Sequence, residues 1–202
     1  MYKKQLKIVG MASVLGFAGI AGTAQAGGYA GLGFGQATSD TDTATILSRS
    51  RSSTLITDDT DTFFKVFGGL KFNDYFAMEM AYVDLGEVSV TANGVGFSDR
   101  YNFGLDGLVV EAVGTWPINK RFSVFGKFGF ITWNSDFTIN RSGRNSVSGG
   151  DSGTDLALGA GGQFNFTKNF GLRAEFEAFD IDELVAGVGG TNTFSLGAVV
   201  SF

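Results

Sequence analysis

Apolar and polar residues alternate with a period of two along most of the chain after residue 27, which is typical of β-strands. This alternation predicts eight strands, over residues 28–38, 62–72, 75–87, 103–117, 121–135, 154–166, 170–180 and 192–202. Several of them reach the roughly 9–11 residues that a tilted strand needs to cross a bilayer. The pattern therefore predicts an all-β fold.

The segments between these strands alternate in length. Three are tight turns, at residues 73–74, 118–120 and 167–169, and four are long and polar, at 39–61, 88–102, 136–153 and 181–191. Short turns at one end and long loops at the other are typical of barrels in the bacterial outer membrane. We therefore predict an eight-stranded antiparallel up-and-down transmembrane β-barrel over residues 27–202.

The two faces of each predicted strand differ. In residues 62–72, for example, Phe64 and Val66 lie on one face and Lys65 and Lys71 on the other. Parity alone leaves open which face points outward, because a soluble barrel would turn the charged face to water. Glycines crowd the charged face, as a narrow lumen would require, and aromatic residues lie near strand ends on the apolar face, as in the aromatic girdles of membrane barrels. Both features favour an apolar exterior.

With that orientation, eight charged side chains point into the lumen. They are Lys65, Lys71, Glu79, Glu111, Lys127, Arg173, Glu175 and Glu177. Four positive and four negative charges balance, and because an unpaired buried charge is costly, we expect an ion-pair network. Two interpretations stay open. The pairs either close the lumen and fix the strand register, which we favour, or form a gate for small ions.

The first residues are predicted to be a targeting segment. Lys3, Lys4 and Lys7 precede an apolar stretch that ends in Ala24-Gln25-Ala26, which together describe a secretory signal peptide. We expect cleavage after Ala26, so that 1–26 is a cleaved signal peptide and 27–202 the barrel domain, 176 of the 202 residues. We expect the protein to be exported and to be located in the Gram-negative cell outer membrane.

Charge and composition exclude several classes of protein. Removing three lysines from 15 basic residues leaves 12 against 20 acidic ones, a net charge of −8, which argues against a nucleic-acid partner. There is no Cys, so disulfides are excluded. There is also no His. The chain therefore lacks the base that the His-dependent outer-membrane proteases, phospholipases and lipid A-modifying barrels use. We expect no catalytic activity and no cofactor.

The long loops carry charged residues of both signs. Their acids show no calcium-loop spacing, so we predict no metal site. Five arginines lie in the predicted loops: Arg49, Arg51, Arg100, Arg141 and Arg144. Because a guanidinium binds phosphate in a bidentate manner, these residues are candidates for contacting lipopolysaccharide. Loop sequence alone cannot name a receptor, so host molecules stay open as partners.

Several short motifs follow one another in a fixed order. They are Phe64-Lys65-Val66-Phe67-Gly68-Gly69, Glu79-Met80-Ala81-Tyr82 with Leu85-Gly86, Trp116-Pro117-Ile118, Lys127 with Trp133, Gly171-Leu172-Arg173-Ala174-Glu175, and Ser195 through Phe202. In this order they resemble the eight-stranded transmembrane domain of the outer membrane protein A family and related small, porin-like outer-membrane barrels. The resemblance covers nearly all of residues 27–202.

The resemblance implies roles for some residues. In that family a Glu on the third strand pairs with an Arg on the seventh inside the lumen, and Glu79 and Arg173 match them. Gly33, Val113 and Gln163 stand where the family has further charges, so the resemblance implies a rearranged network. It also identifies the terminal Phe202 as the signal that the outer-membrane assembly machinery recognises.

These inferences combine into one expectation. The chain is expected to be a monomeric outer-membrane barrel with a structural and surface role, whose long loops contact lipopolysaccharide or host molecules. A small low-conductance porin-like channel, gated by the interior salt bridges, is the alternative. A soluble lipid-carrying barrel is a second alternative, which fractionation without detergent would reveal.

Overall fold

The computed structural model describes residues 27–41, 54–58, 60–94, 97–140, 146–179 and 188–202. It contains nine strands: β1 (Gly28–Thr41), β2 (Thr54–Asp58), β3 (Thr60–Lys71), β4 (Phe76–Gly94), β5 (Phe97–Pro117), β6 (Phe122–Asn140), β7 (Val147–Asn165), β8 (Phe170–Phe179) and β9 (Val188–Ser201). In this part of the chain no helix has the length and hydropathy needed to cross a membrane. The predicted signal peptide, 1–26, lies outside the described residues and stays a prediction.

The strands close into a ring of antiparallel pairs. Each strand from β3 onward pairs with the next along the chain, and β1 pairs with both β3 and β9. The strand β2 pairs with Ser89–Asn93 of β4, beyond the part of β4 that pairs with β3, so β2 and β3 share one position in the ring. The predicted closed barrel of eight antiparallel strands is confirmed.

The first and last strands meet along a seam that closes the ring. In this seam β1 pairs with β9 from Tyr29↔Ser201 to Thr38↔Asn192 without a break in register. At one end of the seam the Gly28 N–H donates to the Phe202 carbonyl at 2.9 Å, and the Phe202 N–H donates to the Gly28 carbonyl at 2.9 Å. The two ends of the barrel domain are therefore joined by backbone hydrogen bonds.

Three short turns at the same end of the barrel share one hydrogen-bonding pattern. In the β5–β6 turn the side-chain oxygen of Asn119 accepts hydrogen bonds from the backbone N–H groups of Arg121 and Phe122, both at 2.9 Å. Asn73 and Thr167 do the same in the β3–β4 and β7–β8 turns. A side-chain acceptor at this position satisfies backbone donors that the turn leaves unpaired. We call this the turn end, and the opposite end the loop end.

Several strands extend further toward the loop end than the alternation predicted. The prediction of a long loop over 88–102 is wrong, because β4 continues to Gly94 and β5 begins at Phe97, with pairs up to Gly94↔Phe97. Likewise β6 and β7 pair as far as Ile139↔Val147, inside the predicted loop 136–153. Residues 88–93 still alternate between apolar positions (Val88, Val90, Ala92) and short polar ones, so the period of two continues with the backbone ladder into the predicted loop.

Among the described residues, the longest strands lie on one side of the ring. Strands β4 to β7 have 19 or 21 residues each, whereas β8 has ten and β1 and β9 have 14. The part of the wall formed by β2 and β4–β7 therefore stands taller at the loop end than the part formed by β8, β9 and β1. We call the former the tall wall.

A bulge in β4 marks the base of the tall wall. The register between β4 and β5 shifts between Asp84 and Glu87. Gly86 has φ of 86°, which only glycine adopts at little cost, and its N–H donates to the Asp84 carboxylate at 3.2 Å. The glycine of the predicted Leu85-Gly86 motif therefore allows the strand to add one residue and continue.

The exterior of the ring is apolar and the interior is filled with side chains. Exposed aromatic residues at the turn end include Phe72, Trp116, Phe166 and Phe202, as expected for an interfacial girdle. The loop-side half of the lumen holds large apolar side chains that are at most 5% exposed: Phe63, Val83, Leu85, Val109, Ile131, Trp133 and Phe179. We call this set the apolar layer.

Close approach of β5 and β6 requires a glycine at position 129. A Cβ built on Gly129 would overlap the Val110 carbonyl oxygen and lie 2.7 Å from the Glu111 Cα, whereas one built on Gly126 in the same strand meets only the Gly159 carbonyl oxygen at 3.9 Å. We expect Gly129→Ala to lower the free energy of unfolding by about 1–3 kcal/mol. Gly126→Ala should leave it nearly unchanged. Urea titration of both variants in lipid vesicles measures the difference, and equal stabilities would contradict the register described for β5 and β6.

Candidate functional site

Seven charged side chains from five strands meet in the middle of the lumen. All are at most 5% exposed, and they are Lys65 of β3, Glu79 of β4, Glu111 of β5, Lys127 of β6, and Arg173, Glu175 and Glu177 of β8. They lie on the turn side of the apolar layer. We call these seven residues the charged layer, and it is the candidate site of this protein.

Glu79 is the central acceptor of the charged layer. Its Oε1 accepts a hydrogen bond from Lys127 Nζ at 2.6 Å, and its Oε2 accepts one from Arg173 Nη1 at 2.7 Å. The Tyr29 hydroxyl also donates to Oε2, at 2.8 Å. This carboxylate therefore joins strands β1, β4, β6 and β8. Its hydrogen bonds from the ammonium and guanidinium groups join two opposite charges and are stronger than those between neutral groups.

Two lysines distribute positive charge among the remaining carboxylates. Lys65 Nζ lies 2.5 Å from Glu177 Oε1 and 3.4 Å from Glu175 Oε1. Lys127 Nζ forms a close ion pair with Glu175 and lies 3.2 Å from Glu177 Oε1. Since both lysine side chains are fully buried, their ammonium groups depend on these carboxylates for stabilisation.

Aromatic rings surround the Arg173 guanidinium. Its Cζ lies 4.6 Å from the ring centroid of Phe125, 4.7 Å from that of Phe67 and 5.2 Å from that of Tyr29. Its Nε donates to Gln163 Oε1 at 3.2 Å. Cations over aromatic faces are stabilised when desolvated. The sequence prediction did not include these rings in the network, although all three have the same inward parity as the charges.

Each member of the charged layer faces a glycine across a strand pair. The pairs are Lys65↔Gly33, Glu79↔Gly69, Glu111↔Gly129, Lys127↔Gly159, Glu177↔Gly159, Glu175↔Gly161 and Arg173↔Gly197. At Gly129, Gly161 and Gly197 a Cβ would meet backbone carbonyl oxygens of the neighbouring strand, whereas at Gly159 it would meet the charged side chains themselves. A Cβ on Gly159, for instance, would lie 3.1 Å from Glu177 Cγ and 3.3 Å from Lys127 Cδ.

Lys71 lies apart from the charged layer. Its Nζ lies 5.5 Å from the centroid of the Tyr29 ring, on the turn side of the layer, and the residue is only half-buried. Its cross-strand neighbour is Ala77 rather than a glycine. The prediction of four positive and four negative charges is therefore wrong for the layer, which contains three cations and four carboxylates.

Of the five arginines predicted to contact lipopolysaccharide, the structure describes Arg100. Arg100 is exposed and lies within β5, as part of the tall wall, rather than in a loop as predicted. Arg49, Arg51, Arg141 and Arg144 lie outside the described residues.

Phe202 is 51% exposed at the turn end of the seam, and its role as an assembly signal stays a prediction. Within the described ranges no three His, Cys, Asp or Glu residues are placed to hold a metal ion.

The sequence matches the family described as outer membrane protein beta-barrel domain, over residues 8–202. The chain belongs to this family. It is 26% identical over 112 residues to outer membrane protein A of Yersinia pseudotuberculosis. The matched segment covers 55% of this chain and 31% of that protein. The chain thus spans about a third of the length of this curated relative.

Solved outer-membrane barrels have the same fold. Ail, the attachment invasion locus protein of Yersinia pestis, matches 89% of this chain and all of its own, with a TM-score of 0.55 and 20% identity. A second structure of Ail contains the heparin analogue sucrose octasulfate. Neisserial surface protein A matches 87% of this chain and 97% of its own, with a TM-score of 0.59 and 13% identity.

The expected resemblance to outer membrane protein A and related small barrels is confirmed by these matches. Membership of an outer-membrane barrel family also implies a location in the Gram-negative outer membrane. The relatives are named as outer-membrane and surface proteins rather than as enzymes. The family fold and the apolar exterior together mean that the strands span the membrane.

Lys127 and Lys71 provide a matched test of the charged layer. Lys127→Met leaves Glu79 and Glu175 without their nearest ammonium group, and breaking a buried ion pair costs about 3–5 kcal/mol. Lys71→Met removes a cation–π contact, which is worth less than about 1 kcal/mol at a partly exposed site. We expect urea titrations in lipid vesicles to show this difference in the free energy of unfolding. A Lys127→Met barrel as stable as the Lys71→Met barrel would contradict the network.

Proposed function

We propose that this protein is a structural and surface protein of the outer membrane, whose closed barrel anchors a loop-end surface that binds lipopolysaccharide phosphates. The filled lumen carries this proposal, because two successive layers of buried side chains occupy it. A barrel of eight strands is only just wide enough for its own side chains. The function is therefore assigned to the exterior and the loop end rather than to transport.

The apolar layer and the charged layer block the lumen in different ways. Phe63, Ile131 and Phe179 are at most 1% exposed and pack together on the loop side. Below them, the buried ion pairs hold Lys65 and Lys127 within 2.6 Å of a carboxylate oxygen. An ion crossing this lumen would have to displace both sets of contacts, and the apolar layer offers it no polar partner in exchange.

Arginine is the only basic residue type in the predicted loops. Four of the five arginines named above fall in predicted loops and Arg100 lies near the loop end of β5, while the lysines after the signal peptide lie in the lumen or in the short turns, at positions 65, 71, 120, 127 and 168. Guanidinium groups bind phosphate oxygens in a bidentate manner, which an ammonium group cannot do. This segregation supports a phosphate-binding role for the loop end.

Strand register places Arg100 at the loop end of the barrel, in line with the end of β6 and with β2. Arg100 of β5 pairs with Asn140, the last residue of β6, and Arg141 follows Asn140 directly in the sequence. On the other side Arg100 pairs with Thr91 of β4, which pairs with Ile56 of β2, five residues after Arg51. Arg100 therefore provides one exposed guanidinium at the loop end of the tall wall. The binding of a polysulfated sugar by Ail supports the choice of an anionic saccharide.

Substituting Arg100 together with two arginines of the predicted loop 136–153 tests this proposal. We expect the triple variant Arg100→Gln, Arg141→Gln, Arg144→Gln to bind lipopolysaccharide at least about tenfold more weakly, because each charge-assisted hydrogen bond contributes roughly 1.5–3 kcal/mol. Arg121→Gln, which changes an exposed arginine at the turn end, is the control and should bind as the parent does. Titration of detergent-solubilised protein with lipopolysaccharide measures the affinities. Equal affinity of the triple variant and the control would refute the phosphate-binding role.

A small gated pore is the second candidate function. One observation favours it: Glu79 is shared by two cations, Lys127 and Arg173, and a change of partners would rearrange the charged layer. The apolar layer argues against it, since that layer stays in place when the ion pairs rearrange. We therefore propose that the lumen does not conduct.

Planar-bilayer recordings distinguish the two functions. We expect neither the parent protein nor Glu79→Ala to show reproducible single channels, because the apolar layer remains in both. If the parent protein does form channels, and they are lost on changing Glu79 or Arg173, the gated pore is the correct function.

Several further expectations belong to the same proposal. We infer export by the signal peptide at 1–26, recognition of Phe202 by the assembly machinery, and action as a monomer without a cofactor or catalytic activity. The signal motif in the sequence, the position of Phe202 at the seam and the absence of His from the chain support them.

A further inference from the structure

The charges of the charged layer do not balance. Three cations, Lys65, Lys127 and Arg173, face four carboxylates, and Lys71 lies apart over the Tyr29 ring. The layer as described therefore carries one negative charge in excess. A buried uncompensated charge is costly enough that proteins normally neutralise it with a partner, a bound ion or a proton.

The excess charge is located at Glu111. This residue is 2% exposed, and among the described residues neither of its carboxylate oxygens has a hydrogen-bond partner. Its nearest cation is Lys127, whose Nζ lies 3.7 Å from Oε2. The other three carboxylates of the layer each have an ammonium nitrogen within 2.6 Å.

Lys127 cannot serve Glu111 as well as its other partners. An ammonium group has three N–H donors, and three carboxylates, those of Glu79, Glu175 and Glu177, are closer to Lys127 Nζ than Glu111 is. Glu111 is the fourth acceptor around a group with three donors. Its lack of a partner therefore follows from the composition of the layer.

In the part of the chain that the structure describes, every cation of the charged layer has a carboxylate closer to it than Glu111. Glu79 lies directly opposite on β4, and Gly129 lies opposite on β6. The ionisable groups that face it from other strands are Tyr29 of β1, Lys65 of β3, Lys127 of β6 and, on β8, Arg173, Glu175 and Glu177. Each cation among them is already engaged with a closer carboxylate. Two carboxylates placed directly across a strand pair repel one another.

We propose that the charged layer binds one further monovalent cation at Glu111. The ligand carries a single positive charge, and either a proton on the carboxylate or an alkali ion beside it would supply this chemistry. Half-buried polar side chains such as Ser123 and Asn165 line the lumen at the turn end, but the buried rings of Phe67 and Phe125 lie between them and the charged layer. This inference concerns the lumen and holds whether or not the loop end binds lipopolysaccharide.

Two isosteric variants test whether Glu111 carries the excess charge. Glu111→Gln removes a charge that has no close partner, so we expect the folding equilibrium constant to be unchanged or raised. Glu177→Gln is the matched control, since it takes from Lys65 its nearest carboxylate, and it should lower the constant by at least about a hundredfold. Urea titration of the chain refolded into phosphatidylcholine vesicles measures both. A Glu111→Gln barrel destabilised as strongly as Glu177→Gln overturns the proposal.

The dependence of stability on pH identifies a proton. Between about pH 6 and pH 8 a Glu of the unfolded chain is ionised, because its ordinary pKa is about 4.3. If folded Glu111 holds a proton there, the folded state binds one proton more than the unfolded state. Raising the pH by one unit then lowers the folding constant of the parent protein about tenfold relative to Glu111→Gln.

The dependence of stability on the salt identifies an alkali ion. Replacing choline chloride with sodium or potassium chloride at constant ionic strength would raise the folding constant of the parent protein in proportion to the ion concentration, once the site's affinity is exceeded. Glu111→Gln would not respond. If the parent protein and Glu111→Gln depend in the same way on pH and on both alkali ions, no cation binds at Glu111 and the proposal is wrong.

Discussion

The neutralisation of charges buried in a narrow lumen is the constraint on which this barrel depends. Glu79 sits at the centre of that constraint, because Lys127 and Arg173 both donate to it from different strands. Such contacts hold β4, β6 and β8 at one height relative to one another. A slip of one residue in any strand would turn its charge into lipid, so the network and the strand register stabilise each other.

Glycines on the facing strands make this network possible. The seven charged side chains of the layer each lie opposite a glycine, and Gly159 serves both Lys127 and Glu177. At Gly159 a Cβ would crowd both of these charged side chains, so this glycine leaves room for them. At Gly129, Gly161 and Gly197 a Cβ would instead meet backbone carbonyl oxygens, so these glycines allow the neighbouring strands to approach closely.

Much of this fold could be predicted from parity, but positions along the barrel axis could not. Alternation assigned Lys65, Lys71 and Lys127 to the same inner face, yet the structure joins only two of them to the charged layer. Height in the lumen depends on the stagger between strands, which no single strand's sequence specifies. The extensions of β4 and β5 were missed although Val88, Val90 and Ala92 still alternate with polar residues, because the small and polar residues of 88–102 are also typical of loops. Arg100 was consequently assigned to a loop instead of to β5.

The seam between β1 and β9 has a consequence for the order of folding. From β3 to β9 the ring contacts join consecutive strands, which can form as local hairpins, and only β2 separates β1 from β3 in the sequence. The seam instead joins Tyr29 to Ser201, which are far apart along the chain. Closing so long a stretch of chain carries the largest loss of conformational entropy. Ring closure is therefore the natural final step of folding, and until it occurs β1 and β9 each expose an open edge. Before closure, these open edges could pair with strands of another molecule. Pairing β1 with β9 removes both edges and so protects the barrel from aggregation.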